Sequence, residues 1–160
     1  MKISDYDNKV EWYKCFKTGK EESLYDECKY ITYIGEQFVE VVFQCDEIDN
    51  TSKKIRHWNI GLTIADDEEL IEYYHKNKMI TGKIGVCGLL FAKAAIKAFE
   101  EVLTSNEEYI SYNHCLYCEW LDKRRKKVYC YGLKKIGFDL GFHYYNRKIF
   151  RCLKKKIYNF

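Results

Sequence analysis

The sequence predicts a single α/β domain over residues 1–160, built on a mixed, mainly antiparallel sheet flanked by helices. Three observations predict it. The length of 160 residues suits one domain. Two β-branched and aromatic runs, 38–45 and 54–64, are separated by a polar turn cluster. Two amphipathic repeats of helical period, 89–103 and 123–136, are interleaved with further strand-like runs.

Taken in chain order, residues 21–33 place Leu24, Tyr25, Cys28 and Ile31 at helical spacing, and Gly35 follows as a stop. Phe38–Cys45 reads as a strand. Residues 46–52 form a turn, and Lys54–Ile64 alternates as a second strand, with Arg56, Trp58, Ile60 and Leu62 on one face. These two strands and the Asp49-Asn50 turn make a hairpin. The acidic run 65–69 opens a helix to about Asn77, since carboxylates suit a helix N-terminus. Helix 89–103 carries Leu89, Ala92, Ile96, Phe99 and Leu103 as one stripe, with Lys93, Lys97 and Glu100 off it. Ser105-Asn106 ends it, and Tyr109–Leu121 reads as a strand. Helix 123–136 puts Tyr129, Leu133 and Ile136 on one face and stops at Gly137. Phe138–His143 and Lys148–Leu153 close the chain as a hairpin around Tyr145-Asn146.

No run approaches the ~20 apolar residues of a membrane span. The opening residues lack the apolar core of a signal peptide, which predicts a cytoplasmic protein with reduced thiols. The eight Cys are therefore read as small buried hydrophobes. Heavy use of Lys, Ile, Asn and Tyr points to AT-rich coding, as in a low-GC bacterium or its phage. Charge is unevenly spread. Residues 121–160 hold 13 Lys or Arg against Asp122 and Asp139, a balance of +11; the rest holds 14 against 22, or −8. A basic face of this kind suits an anionic partner: cofactor phosphate, nucleic acid or an acidic protein.

The segment Gly82-Lys83-Ile84-Gly85-Val86-Cys87-Gly88 places three glycines immediately before a helix. Glycine permits close approach of the backbone to phosphate oxygens, and a helix N-terminus adds partial positive charge. Ile84 stands where a Walker loop needs Ser or Thr, and the preceding segment reads as helix rather than the strand of a dinucleotide fold.

The order hairpin, Gly-rich loop, helix, strand, helix ending in Gly-Phe and final antiparallel hairpin resembles the GNAT superfamily of N-acetyltransferases. Gly82-Lys83-Ile84-Gly85-Val86-Cys87 is similar to that family's pyrophosphate loop at its middle glycine and small last position. Tyr129–Phe138 is similar to its fourth helix, closing with Ile136-Gly137-Phe138. The likeness covers 78–153. It implies an acyl-CoA-dependent N-acyltransferase, moving an acetyl or similar group from acetyl-CoA or another acyl-CoA to the amine of a small molecule or protein. Residues 82–88 would hold the pyrophosphate, and strands near Ile60–Ile64 and Tyr109–Asn113 would flank the pantetheine. Tyr129 or Tyr131 would protonate the leaving thiolate; Leu133 stands where the family's helical Tyr usually lies.

The alternative is a non-catalytic binding or inhibitor protein that meets nucleic acid or an acidic protein through Lys123, Arg124, Arg125, Lys126 and Lys127. Five cations at a helix N-terminus oppose the macrodipole, so an anion is expected to compensate them. His114-Cys115-Leu116-Tyr117-Cys118 contains one Cys-x-x-Cys without a second pair, so no metal is assigned. No spacing selects a Cys–His nucleophile. His57-Trp58-Asn59 reads as core or rim packing, and Tyr144-Tyr145 as cross-strand packing.

Overall fold

A computed structural model describes residues 1–13, 26–49, 55–66, 86–119, 123–140 and 148–153. Seven strands and two α-helices occur among them: β1 (Asn8–Tyr13), β2 (Glu27–Ile34), β3 (Gln37–Asp49), β4 (Ile55–Ala65), α1 (Cys87–Ser105), β5 (Asn113–Glu119), α2 (Lys123–Lys134), β6 (Asp139–Leu140) and β7 (Lys148–Leu153). The strands are hydrogen-bonded in the order β1-β2-β3-β4-β5-β7-β6. The fold is mixed α/β. β4 and β5 pair in parallel, whereas β1–β2, β5–β7 and β6–β7 pair antiparallel. The chain divides into two compact units, 1–43 with 61–98 and 44–60 with 99–160.

In the first unit, β2 alternates so that Cys28, Tyr30 and Thr32 are buried. The expected helix over 21–33 is corrected here: Glu27–Ile34 is a strand, and residues 21–25 lie outside the described residues. Cys28 and Ile31 satisfy a helical period, but Tyr30, Ile31, Thr32 and Tyr33 are aromatic or β-branched and suit a pleated surface better. The register Asn8↔Thr32 to Tyr13↔Glu27 against β1 gives those residues partners. Thr32 Oγ1 donates to the Asp7 carbonyl at 2.6 Å, which satisfies a hydroxyl on a buried face. Gly35, at φ 61°, makes the turn into β3. On β3, Phe38, Val39, Val41 and Phe43 are buried, and Phe43 meets Tyr30 edge to face at 5.8 Å. Glu40 is buried beside Lys29, whose Nζ lies 3.6 Å from Glu40 and 3.6 Å from Glu27. From α1, Phe91, Ala92, Ala95 and Ile96 are buried, with Tyr6 against Phe91 at 5.0 Å.

The second unit is organised around β5. Its register with β4 runs from Ile55↔Asn113 to Asn59↔Tyr117, and with β7 from His114↔Leu153 to Glu119↔Lys148. Phe99 and Leu103 of α1, Trp58, Leu116, Leu133 and Phe138 are buried. β5 begins at Asn113 rather than at Tyr109. Asn106 is the reason: its Oδ1 accepts from Glu108 N–H at 2.9 Å, and its carbonyl accepts from Tyr109 and Ile110 N–H. That continues α1 into turns through Tyr112.

α2 ends as expected, and its end has a specific geometry. Gly137 adopts φ 91°, Phe138 N–H donates to Leu133 O at 3.1 Å, and Gly137 N–H donates to Lys134 O at 3.2 Å. These are the two bonds of a Schellman cap, with buried Leu133 and Phe138 supplying its apolar contact. β6 follows directly and pairs with β7 through Asp139↔Phe150 and Leu140↔Ile149, so the final hairpin is present. Of the helix expected from the acidic run 65–69 to about Asn77, Ala65 instead ends β4 and Asp66 is a bend; residues 67–77 and the tip at Tyr144-Tyr145 lie outside the described residues.

Candidate functional site

Of the Gly-rich segment, Gly82, Lys83, Ile84 and Gly85 lie outside the described residues. Val86 and Cys87 are exposed, and Gly88 is buried in the first turn of α1. No acidic residue occupies that turn, and Leu90 N–H donates to the Val86 carbonyl at 3.0 Å. Cys87 is the exception among the described thiols: Cys28, Cys115 and Cys118 are buried, and Cys45 and Cys130 are half-buried. Burial holds the Cys118 thiol up at about 12 and raises that of Cys28 as well, so neither supplies a thiolate at neutral pH. Among the described residues no three His, Cys, Asp or Glu side chains gather as metal ligands.

On α2, Tyr129 is half-buried and Tyr131 is 71% exposed. The ammonium of Lys135 stands 3.9 Å from the centroid of the Tyr131 ring. The Lys135 ammonium beside it favours the phenolate, so the hydroxyl titrates below its ordinary value. Lys123, Lys126 and Lys127 are exposed, as are Lys134 and Lys135; Arg124 and Arg125 lie on the same helix. A step of four residues returns to nearly the same helix face, so Lys123, Lys127, Tyr131 and Lys135 form one outward stripe. Sequence reasoning named the five cations of the first turns but left Lys135 out of the group.

The second unit also holds a polar cluster that was not singled out from sequence. Arg56 is fully buried, with its guanidinium carbon 5.1 Å from the Trp58 ring centroid, 5.8 Å from Tyr109 and 5.6 Å from Tyr112. Trp58 Nε1–H donates to His114 Nδ1 at 3.1 Å, and His114 Nε2 lies 3.0 Å from the Tyr109 carbonyl. An indole nitrogen only donates and a carbonyl only accepts, so His114 is the neutral Nε2–H tautomer. Its pKa is lowered to about 4, chiefly by burial; the Tyr109 carbonyl pulls the other way, and the charge of Arg56 adds to the lowering. Phe99 closes the cluster edge-on to Trp58 at 5.0 Å.

This cluster explains why His57-Trp58-Asn59 behaves as packing. Arg56, Trp58 and Ile60 face inward on β4, whereas His57 and Asn59 are half-buried between them. A charged residue in phase with Trp58 and Ile60 was the available sequence signal. Its partners were not visible, because they arrive from the turn before β5. The cluster is neutral at its histidine and buried at Arg56, Trp58, Tyr109 and His114, which suits support of the β4–β5 pairing rather than proton transfer.

Among the described residues no helix is long and apolar enough to cross a membrane. Compared with family models, curated proteins and solved structures, the chain matches none.

Proposed function

We propose that the chain is a GNAT-like N-acyltransferase. The observation that carries the reading is the order of elements. Neighbouring strands β3 and β4 precede a Gly-rich segment, α1, β5, α2 ending at Gly137-Phe138, and the antiparallel pair β6–β7. The parallel pairing of β4 with β5 supports it further, since a parallel connection requires a crossover and α1 is that crossover.

In this reading the acceptor amine attacks the thioester carbonyl of acyl-CoA and gives up a proton to a carboxylate or to water, the carbon–sulfur bond breaks, and the thiolate takes a proton. Glycines 82, 85 and 88, which run up to and into the start of α1 in the sequence, serve as the phosphate cradle. The proton donor is a tyrosine of α2. Tyr131 has a hydroxyl that Lys135 makes more acidic than its ordinary value, and Tyr129 is the more sheltered of the two.

Calorimetric titration with acetyl-CoA tests the reading, using the wild-type chain and a Gly85→Asp variant with an unchanged melting temperature. Micromolar binding in the wild type, lost in the variant, is the expected result. Absence of heat in both overturns it.

A further inference from the structure

We infer that the outward face of α2 is a docking surface for a single-stranded polynucleotide, with Lys123, Lys127 and Lys135 holding phosphates and Tyr131 stacking on a base. The inference does not rest on the acyltransferase reading.

Charge is the first support. α2 contains no acidic residue, and five consecutive cations occupy its positive end, where they oppose the helix dipole. Among the described residues, no carboxylate forms an ion pair with Lys123, Lys127 or Lys135. An arrangement that is unfavourable within the molecule becomes favourable against a polyanion. Binding then releases condensed counterions.

Shape is the second support. From Lys123 to Lys135 the stripe runs about 18 Å at 1.5 Å per residue, enough for several phosphates. An aromatic ring interrupts it, and that ring is 71% exposed with a cation held against it. A polyanion of carboxylates would address the lysines and leave Tyr131 without a function. A single strand offers phosphates and flat bases in alternation, which is what cations flanking a ring accept. A duplex keeps its bases stacked internally and offers Tyr131 nothing comparable.

The test is fluorescence anisotropy of labelled 20-nucleotide oligo(dT) and oligo(U) with the 160-residue chain between 50 and 200 mM salt. Binding is expected to weaken with salt and to be similar for the two sugars. The variant Lys123→Gln/Lys127→Gln/Lys135→Gln should reduce the slope of log affinity against log salt by about 2, at roughly 0.7 per phosphate contact. Tyr131→Ala should weaken binding about tenfold, and Tyr131→Phe should retain it. A control, Lys2→Gln/Lys97→Gln, removes charge elsewhere and should bind as wild type. All substituted side chains are exposed, so melting temperatures should not fall. Three results would each overturn the inference: wild-type binding by the triple variant, equal competition by polyglutamate (an acidic polypeptide partner), and equal binding of a 20-base-pair duplex with Tyr131→Ala silent.

Discussion

Among the described residues of the second unit, Arg56 and Lys135 both lie against aromatic rings, and burial makes them opposites. Arg56 is fully enclosed, with three rings within 6 Å and a neutral histidine nearby. Lys135 lies over Tyr131 at 3.9 Å on an outward helix face. The same pairing therefore serves two ends. Enclosed, it holds β4 to β5, because every group in it is costly to expose or to remove. Outward, it adds little to stability and is available to a ligand. Cation and ring identity alone does not distinguish these roles; solvent access does.

The sharpest test of the enclosed half is Trp58→Ala. It removes the ring that lies under Arg56 and meets Phe99 edge to face, together with the donor to His114, so a loss of about 3–5 kcal/mol is expected. Differential scanning calorimetry should show melting lowered by roughly 6–20 °C. A shift under 2 °C would mean that the cluster is not what holds β4.

Acid is the next probe. The folded chain binds a proton at His114 with a pKa of about 4, against an ordinary 6.5. Between those values the unfolded chain carries more protons. Stability from this group is therefore full above pH 6.5 and falls as pH drops toward 4, by about 3 kcal/mol in all. Urea midpoints at pH 7 and 4.5 should differ less in His114→Gln than in wild type, whatever that variant's stability at pH 7.

Smaller still is Arg56→Lys. It keeps the charge but loses the planar group that meets three rings, for an expected loss of about 1–2 kcal/mol by urea denaturation. On the outward half the sign reverses. Lys123→Glu puts an acid at the positive end of α2, and a gain of about 0.3–1 kcal/mol is expected. Destabilisation there would show that the basic face contributes to the fold and would erase the contrast.

Much of this architecture was legible in the sequence. The stripe from Leu89 to Leu103, the alternation of β4 and the stop of α2 at Gly137 are each local patterns, and each sits where the pattern put it. The Schellman cap gives Gly137-Phe138 a physical cause: Leu133 needs an apolar partner, and the turn needs a residue tolerant of positive φ. That cause operates in any helix so terminated, which limits how far the pair alone identifies a family. β2 was not legible because residues 27–34 satisfy two periods at once, and only the register with β1 decides between them. The start of β5 was hidden by side-chain capping at Asn106. The Arg56 cluster was hidden by distance, for nothing near Arg56 in the chain announces Tyr109 or Tyr112. The outward stripe was half visible: its lysines stood out in composition, but the ring among them acquires meaning only from exposure.

The parallel pairing of β4 with β5 has a consequence during synthesis. Trp58 and His114 are 56 positions apart, so β4 emerges from the ribosome well before its neighbour exists. At 5–20 residues per second that interval is roughly 3–11 s. Throughout it Arg56 and Trp58 lack their enclosure and one edge of β4 has no strand to meet. The nascent chain is thus most open to mispairing and to chaperone capture while residues 60–113 are being made, and the burial of Arg56 marks the end of that window.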